Sequence, residues 1–332
     1  MITRLKILII AGFVFISFLP ASATDVSGKI IGGTEATDGE YPFVVAILDT
    51  TNGATELNQQ FCGGTLIAAD WVLTAAHCME DYTTATAISN LRVLAGTNVL
   101  STTASTSGTK VRVSAVYVHE SYNSVTFNND IALLKLSTSL SEDTIDGLSS
   151  TTYPAFSVGT LATVAGWGTT AYPDTVHTYP TDLMEVDLPV VSNTTCSEVS
   201  GYSMTDNMLC AGYAEGGKDS CSGDSGGPLF VQDGSNYIVI GIVSNGYQCA
   251  QPNYYGIYTR VSQYTSWIDG KMNGTTDDGG STDSGDTDTD VDTVDSGGGG
   301  GGGCSASKDG SPIALILMFT AGGIYLIRRR RA

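Results

Sequence analysis

The sequence is poor in basic residues. Of its 332 residues, 15 are Lys or Arg and 34 are Asp or Glu, which gives a formal net charge of −19 at pH 7. A nucleic-acid partner needs a Lys/Arg-rich surface that neutralises phosphates, so this balance argues against nucleic-acid binding. An acidic chain is compatible with cationic substrates, but net charge bears on solubility more than on function.

Patterns typical of metal sites are also missing. The seven cysteines and three histidines form no Cys-x-x-Cys or His-x-x-x-His pattern, so we expect no zinc site, no other metal and no cofactor. Cys304 stands apart from the other six cysteines, and the residues alone leave the pairing of those six open. They are Cys62, Cys78, Cys196, Cys210, Cys221 and Cys249.

The N-terminus has the features of an export signal. A basic start with Arg4 and Lys6 precedes an apolar run over 7–19, and small residues fill the cleavage positions 21–23. We expect residues 1–23 to be a secretory signal peptide, because a short buried helix would not combine this position, these flanks and this cleavage site. Export permits disulfides, so the central cysteines are a candidate disulfide framework.

The composition of residues 30–273 is that of one folded domain. Short apolar or alternating runs recur between Gly, Asn, Asp, Ser and Pro, and this spacing predicts an all-β barrel or sandwich. A helix is predicted over 261–272, where Tyr264, Trp267 and Ile268 are spaced for one helix face. Strands are predicted over 43–48, 64–67, 71–74, 111–118, 131–136, 160–165, 238–243 and 256–261.

The C-terminal region has a different composition. Residues 274–296 are rich in Asp, Gly, Ser and Thr without a basic residue, and seven glycines follow over 297–303. We expect 274–311 to be a disordered acidic and Gly-rich linker, because it has too little apolar surface to bury. The remaining 312–332 is predicted to be a short transmembrane or sorting segment. Its apolar helix would span about 24 Å, less than the ~30 Å hydrocarbon core.

Four arginines at 328–331 follow that apolar stretch and favour a cytoplasmic C-terminus, with the folded domain outside. This order of a glycine run, a short apolar segment and an arginine cluster resembles the bacterial C-terminal sorting tags known as the GlyGly-CTERM type. This resemblance implies that the tail is cut after export, between about residues 297 and 311. A plain, short membrane anchor is the alternative, and no role is assigned to Cys304.

The most informative motif is Gly-Asp-Ser-Gly-Gly-Pro at 223–228. It places Ser225 between an acid and two glycines, on a backbone that glycine can fold tightly. A serine hydroxyl becomes a nucleophile when a base and an oxyanion site surround it. A glycine-rich surface turn with an incidental serine is the alternative.

The sequence also offers a base and an acid for this serine. His77, in Thr-Ala-Ala-His-Cys at 74–78, can accept a serine proton near pH 7. Asp130 heads an apolar strand, and a buried acid there needs a partner such as His77; a solvated strand-start aspartate is the alternative. His119 and His177 lie in polar stretches and are predicted to be surface residues.

With His77, Asp130 and Ser225 in this order, residues 30–273 resemble the trypsin/chymotrypsin family of serine endopeptidases. The resemblance implies two six-stranded antiparallel β-barrels with a C-terminal helix. It implies that Ser225 attacks the peptide carbonyl, His77 transfers the proton and Asp130 orients His77. It also implies an oxyanion hole made by the N–H groups of Gly223 and Ser225, and a hydrogen bond from Ser244 to the acid.

The resemblance further implies specificity for Lys or Arg. Asp219 matches the family's acid at the base of the primary pocket, and Gly246 and Gly256 match its two wall glycines. The disulfides would be Cys62–Cys78, Cys196–Cys210 and Cys221–Cys249.

An activation site is implied as well. Residues 24–29 would be a propeptide, and a cut after Lys29 would free the amine of Ile30 to pair with Asp224. Because Lys29 is itself a matching residue, the enzyme or another protease could make this cut. An ordinary exposed lysine is the alternative.

Three departures from the family matter. Asn245 stands where the family usually has tryptophan, which puts the shape of the adjoining subsite in question. Residues 97–109 contain no acid, so we expect no calcium site in that loop. A tyrosine at the position of Tyr255 accompanies sodium binding in the family.

The sequence thus predicts an exported serine endopeptidase, made as a zymogen, that cleaves protein substrates after Lys or Arg and is secreted or attached to the outer cell surface. The alternative is a catalytically inactive homologue that acts as a cell-surface binding module. A mainly structural surface protein would leave the three candidate catalytic residues unexplained.

Overall fold

Six antiparallel strands close the first barrel. The structure, a computed structural model, describes residues 30–152, 156–172 and 178–274. Each strand of this barrel pairs with two neighbours, in the order β2-β3-β4-β7-β6-β5. The strands are β2 (Val44–Asp49), β3 (Gln60–Ala68), β4 (Trp71–Thr74), β5 (Leu91–Ala95), β6 (Thr109–Val118) and β7 (Ala132–Leu136).

A second closed antiparallel ring follows in the chain, in the order β10-β11-β14-β13-β12-β9, with β9 and β10 pairing to complete it. Together the two rings confirm the predicted pair of six-stranded barrels. The strands are β9 (Leu161–Gly166), β10 (Met184–Val191), β11 (Met208–Ala211), β12 (Pro228–Asp233), β13 (Asn236–Asn245) and β14 (Gly256–Arg260).

Short elements complete the described part of the chain. Strand β1 (Thr34–Glu35) pairs with β10, and β8 (Gly147–Leu148) pairs in parallel with β13. The helices are α1 (Glu56–Gln59), α2 (Thr84–Asn90), α3 (Asn193–Ser200) and α4 (Thr265–Asn273), with 3₁₀ turns at His77–Met79 and Val261–Gln263.

The C-terminal helix packs on the core as predicted. Tyr264, Trp267 and Ile268 are all buried, and they belong to a core cluster that includes residues of both barrels, among them Val45 and Phe230. The predicted helix over 261–272 is divided, since a 3₁₀ turn precedes α4. A separate cluster with fully buried Ile30 fills the second barrel.

Several strands and short helices went unrecognised in the sequence. Strands β5, β10, β11 and β12 were not among the predicted runs, because they are short or interrupted by charge and proline. Strand β10, for example, carries Glu185, Asp187 and Pro189 in eight residues.

His119, predicted to lie at the surface, is half-buried between the rings of Tyr264 and Trp267, at 5.3 and 5.2 Å, because α4 covers it. Burial lowers its pKa.

No helix within the described ranges has the length and apolar character to cross a membrane.

The remaining predicted features lie outside the described residues. They are His177, the signal peptide at 1–23, the propeptide at 24–29, the linker at 274–311 beyond its first residue, and the segment at 312–332.

Candidate active site

A buried carboxylate holds the histidine that follows strand β4. Asp130 lies immediately before β7, is fully buried, and accepts from His77 Nδ1 at 2.8 Å through Oδ2. Its Oδ1 accepts from the backbone N–H of His77 at 2.8 Å. Because both oxygens are bound to one residue, the imidazole is held with Nδ1 towards the acid and Nε2 towards the cleft.

The second barrel holds the same aspartate. Ser244, on β13, donates through its hydroxyl to Asp130 Oδ2 at 2.5 Å, and Thr259, on β14, donates to the backbone oxygen of Asp130 at 2.6 Å. Asp130 therefore sits where the two barrels meet, with every carboxylate contact satisfied. No hydrogen bond joins His77 to Ser225 within the described residues, although both line one cleft.

The turn that carries Ser225 requires glycine. Gly226 has φ = +79°, and a β-carbon there would lie 2.2 Å from Thr74 Oγ1 and 2.6 Å from the backbone oxygen of Gly63. Gly223 has φ = +100°. Side chains are strained at such angles, so this tight backbone depends on the glycines of the motif.

Two backbone donors near Ser225 remain available. The N–H groups of Gly223 and Ser225 make no hydrogen bond to the described residues, and both residues border a cleft shared with His77. The carbonyl of Gly223 points elsewhere and accepts from Gln60 Nε2 at 2.8 Å. Two unengaged donors beside a serine are what a developing oxyanion needs.

A second carboxylate lies at the base of the cleft. Asp219 is 3% exposed, and its Oδ2 accepts from the N–H of Ala250 at 2.9 Å. Its Oδ1 is buried with no partner among the described residues. Burial raises the pKa of Asp219 to about 7. An unpaired buried carboxylate oxygen that faces a cleft is suited to a cationic side chain.

The walls of this cleft are open. Gly246 and Gly256 line it together with Asp219, and its volume is about 260 Å³. A β-carbon at Gly256 would lie 3.0 Å from Asp219 Oδ1, whereas one at Gly246 would contact nothing closer than 3.9 Å. Side chains at these positions would crowd the carboxylate or fill the opening.

The acid beside the serine is separate from the cleft. Asp224 is buried and accepts from the N–H groups of Gly168 at 2.8 Å and Cys221 at 2.9 Å. It has no cationic partner among the described residues, and burial raises its pKa to about 6. Ile30, which the sequence links to this acid, is buried in the core of the second barrel.

Three disulfides lie around these residues: Cys62–Cys78, Cys196–Cys210 and Cys221–Cys249. They are the pairs that the resemblance implies, and they fit an extracellular protein. In the described ranges one group of three possible metal ligands occurs, Cys62, His77 and Cys78, and its two cysteines are bonded to each other. Such sulfurs are unavailable as thiolate ligands.

The remaining departures from the family have clear positions. Asn245 lines the cleft and donates through Nδ2 to the hydroxyl of Tyr202 at 3.2 Å. Tyr255 is buried against the Cys196–Cys210 disulfide. Phe127, which also lines the cleft, was missed in the sequence; its position two residues before Asn129-Asp130 was the available signal.

Two closed β-barrels meet at a His–Asp pair, next to a serine in a tight glycine-rich turn. This combination defines a class of protein, the chymotrypsin-like serine endopeptidases. A family model described as Trypsin matches residues 30–268, and the chain belongs to this family.

Curated relatives agree with this assignment. The chain is 39% identical over 259 residues to "Trypsin Tyr p 3.0101" of Tyrophagus putrescentiae, covering 76% of this chain and 83% of that protein. It is 39% identical over 246 residues to "Trypsin-1" of Astacus astacus, covering 72% and 98%. It is 37% identical over 254 residues to "Trypsin-3" of Salmo salar, covering 76% and 96%.

Proposed function

We propose that this serine endopeptidase cleaves protein substrates after Lys or Arg. The observation that carries the proposal is the unpaired, buried Oδ1 of Asp219 at the base of the cleft that His77 and Ser225 line. A Lys or Arg side chain that enters this cleft would supply the missing partner in a poorly hydrated setting, where a charge pair is strong.

The proposed mechanism passes through an acyl-enzyme. Ser225 Oγ approaches His77 Nε2, gives up its proton to it and bonds to the peptide carbonyl carbon. The N–H groups of Gly223 and Ser225 stabilise the oxyanion. The C–N bond then breaks as the imidazolium protonates the leaving amine, and water repeats the sequence to release the acid and restore Ser225.

A panel of chromogenic peptides with Arg, Lys, Phe or Ala before the cleaved bond tests both the proposed specificity and the proposed mechanism. We expect the enzyme cut after Lys29 to cleave the Arg and Lys peptides, and Ser225→Ala to abolish turnover with an unchanged fold. A preference for Phe would refute the role of Asp219. Complete inactivity would favour the inactive homologue, which no observation on this site supports.

Activation by a cut after Lys29 is part of the proposal. Asp224 is buried without a cationic partner among the described residues. The freed amine of Ile30 would supply one, so the pairing can organise the serine turn. We expect Lys29→Gln to leave the chain uncut and nearly inactive. N-terminal sequencing of active enzyme should begin at Ile30; an active enzyme with an uncut terminus would contradict this step.

The predicted segments outside the domain complete the proposal. Residues 1–23 would direct export, and the tail at 312–332 would hold the enzyme at the membrane until a cut within 297–311 releases it. The intact mass of the exported protein tests this. A mass that still includes the arginines 328–331 would favour a permanent anchor.

A further inference from the structure

The cleft extends beyond Asp219 to residues that the proposed mechanism does not use. Phe127 and Asn245 line it together with His77, Ser225 and Asp219. A neighbouring cleft on the other side of His77 and Ser225 is lined instead by Phe61 and Tyr82. Because the proposed Lys/Arg pocket belongs to the first cleft, the substrate residues that precede the cleaved bond extend past Phe127 and Asn245.

Phe127 is held in a costly backbone conformation beside the histidine. Its φ is +55°, which is an outlier for a bulky side chain. Its ring lies edge-on to His77, with centroids 5.9 Å apart. The second barrel fixes this loop, because Tyr202 donates to the backbone oxygen of Thr126 at 2.8 Å and Thr205 donates to Asn128 Oδ1 at 2.8 Å. Such strain persists where surrounding contacts determine it.

A chain of hydrogen-bonded polar groups lies next to Phe127. Asn245 Nδ2 donates to the hydroxyl of Tyr202, which donates to the backbone oxygen of Thr126. We call Thr126, Tyr202 and Asn245 the polar bridge. Within the described part of the chain, no group donates to Asn245 Oδ1, so this oxygen can accept a hydrogen bond from a substrate. Burial raises the pKa of Tyr202, so its hydroxyl stays protonated and the bridge keeps this orientation.

The end of β13 offers an edge for an extended peptide. Asn245 pairs with Ile257 of β14 on one side, and β12, which pairs with β13 only as far as Ile242, leaves the other side of Asn245 without a partner strand in the described ranges. A peptide added at this edge would point alternate side chains to the same face, about 6.6 Å apart. With Lys or Arg directed at Asp219, the first preceding residue meets Phe127 and His77, and the third meets the polar bridge.

We propose that the polar bridge selects an uncharged polar side chain, such as Asn or Gln, at the third residue before the cleaved Lys or Arg. The inference rests on the proposed function, since it uses Asp219 to set the register of the peptide. Apolar side chains at this position would cover Asn245 and Tyr202 without satisfying the free acceptor, which is unfavourable when water is excluded.

Two peptides of matched shape test the inference on the enzyme cut after Lys29: acetyl-Asn-Ala-Ala-Arg and acetyl-Leu-Ala-Ala-Arg, each with a chromogenic anilide. We expect kcat/KM to be about fivefold higher for the Asn peptide, as one hydrogen bond of ordinary strength provides. Asn245→Leu should reverse the preference, and Tyr202→Phe should bring the ratio close to one because Asn245 loses its anchor.

The control variant is Tyr117→Phe, which removes the hydroxyl of a tyrosine that packs on Trp71 in the first barrel. It should keep the fivefold ratio. Because each ratio compares two substrates on one enzyme, a loss of correctly folded protein cancels. Equal cleavage of both peptides, or a preference for the Leu peptide, would overturn the selectivity proposed for the polar bridge and leave the proposed function standing. Failure to cleave either peptide would overturn the proposed function with it.

Discussion

Asp219 combines a pocket position with an unusual pKa. Burial raises that pKa to about 7, so the free enzyme changes the charge of its pocket near neutral pH. A cationic substrate favours the ionised form. With the proposed specificity, protons would compete with a Lys or Arg side chain for Asp219 as pH falls below about 7, and substrate binding would weaken.

This competition predicts a pH-dependent selectivity. We expect the ratio of kcat/KM for an Arg peptide to that for its citrulline analogue to fall by up to about tenfold per pH unit below 7. The citrulline peptide has the same shape without the charge, so pH effects on the catalytic steps that both peptides share cancel in the ratio. In Asp219→Asn the ratio should be low and flat with pH. A flat ratio in the unmodified enzyme would contradict a titrating pocket.

Asp130 depends on Ser244 as well as on His77. Its Oδ2 accepts from both, and Ser244→Ala removes one of the hydrogen bonds to a fully buried charge. We expect kcat to fall by about 10- to 100-fold, since a hydrogen bond to a charged group contributes ~1.5–3 kcal/mol. Asp130→Asn should lose about 10⁴-fold, the loss known for this change in the enzyme class.

Steady-state kinetics on a good Arg peptide measures both losses. Ser262→Ala, which removes a buried hydroxyl from the 3₁₀ turn before α4, is the control. A decrease in kcat of the same size in Ser262→Ala would mean that loss of a buried serine lowers kcat through general stability. Ser244 would then have no specific role in supporting Asp130.

At the level of elements, helix α1 organises a loop that is distant in the sequence. Glu56 is 1% exposed, and its carboxylate accepts from the N–H groups of Ser101 at 2.8 Å and Ser107 at 3.1 Å. Lys110 Nζ lies 2.9 Å from its Oε1. The loop at 97–109 therefore folds around an acid from α1 that is already paired with an ammonium group.

These contacts of Glu56 with Ser101, Ser107 and Lys110 predict that the loop needs no calcium and that its stability depends on Glu56. Burial alone would raise the pKa of Glu56, but the hydrogen bonds from Ser107, Ser101 and Lys110 hold it below its ordinary value. Its contribution is therefore present above pH ~4.3 and lost as pH falls through the lowered pKa. We expect Glu56→Gln to reduce the free energy of unfolding by about 3 kcal/mol at pH 7.

Urea denaturation at pH 7 and at pH 3, with and without EDTA, measures these effects. The difference between the two proteins should shrink at pH 3, and EDTA should change neither. Stabilisation of the unmodified enzyme by added Ca²⁺ would show that the loop uses an ion after all.

How far the sequence predicts each feature depends on the range of its contacts. Ser225, His77 and Asp130 each stand in a local motif next to a strand, so short patterns predicted these residues. The apolar runs predicted only an all-β barrel or sandwich, and the pair of barrels followed from the family resemblance. Glu56 with Ser107, and Tyr202 with Thr126, meet across long stretches of chain. Nothing in the neighbourhood of Glu56 or Tyr202 indicates its partner, because the pairing depends on how loops pack once the barrels have closed.

For the whole molecule, the scarcity of basic residues has a consequence for self-digestion. Within 30–274, nearly all Lys and Arg residues lie in strands or in α4, where hydrogen bonding protects the backbone from a protease. Lys218 is the exception, exposed in the loop before Asp219. The protected residues are Arg92, Lys110, Arg112, Lys135, Arg260 and Lys271.

An enzyme specific for Lys and Arg should therefore cut itself first after Lys218. Among the described residues no disulfide spans this bond, because Cys62–Cys78 and Cys196–Cys210 lie before it and Cys221–Cys249 lies after it. We expect prolonged incubation to give two fragments that separate on a denaturing gel even without reductant. They should comigrate on a native gel, since β9–β11 and β12–β14 belong to one barrel.

The cut should also weaken Arg cleavage, because Asp219 would become a chain end. Its N–H donates to the backbone oxygen of Ile31 at 3.1 Å in the intact chain, and a freed amine beside the pocket would place a positive charge next to its carboxylate. Lys218→Gln should resist both changes, whereas Lys271→Gln, in α4, should behave like the unmodified enzyme. Early cuts within the strands would instead mean that the barrels open more readily than the Lys218 loop, against the protection that their hydrogen bonds provide.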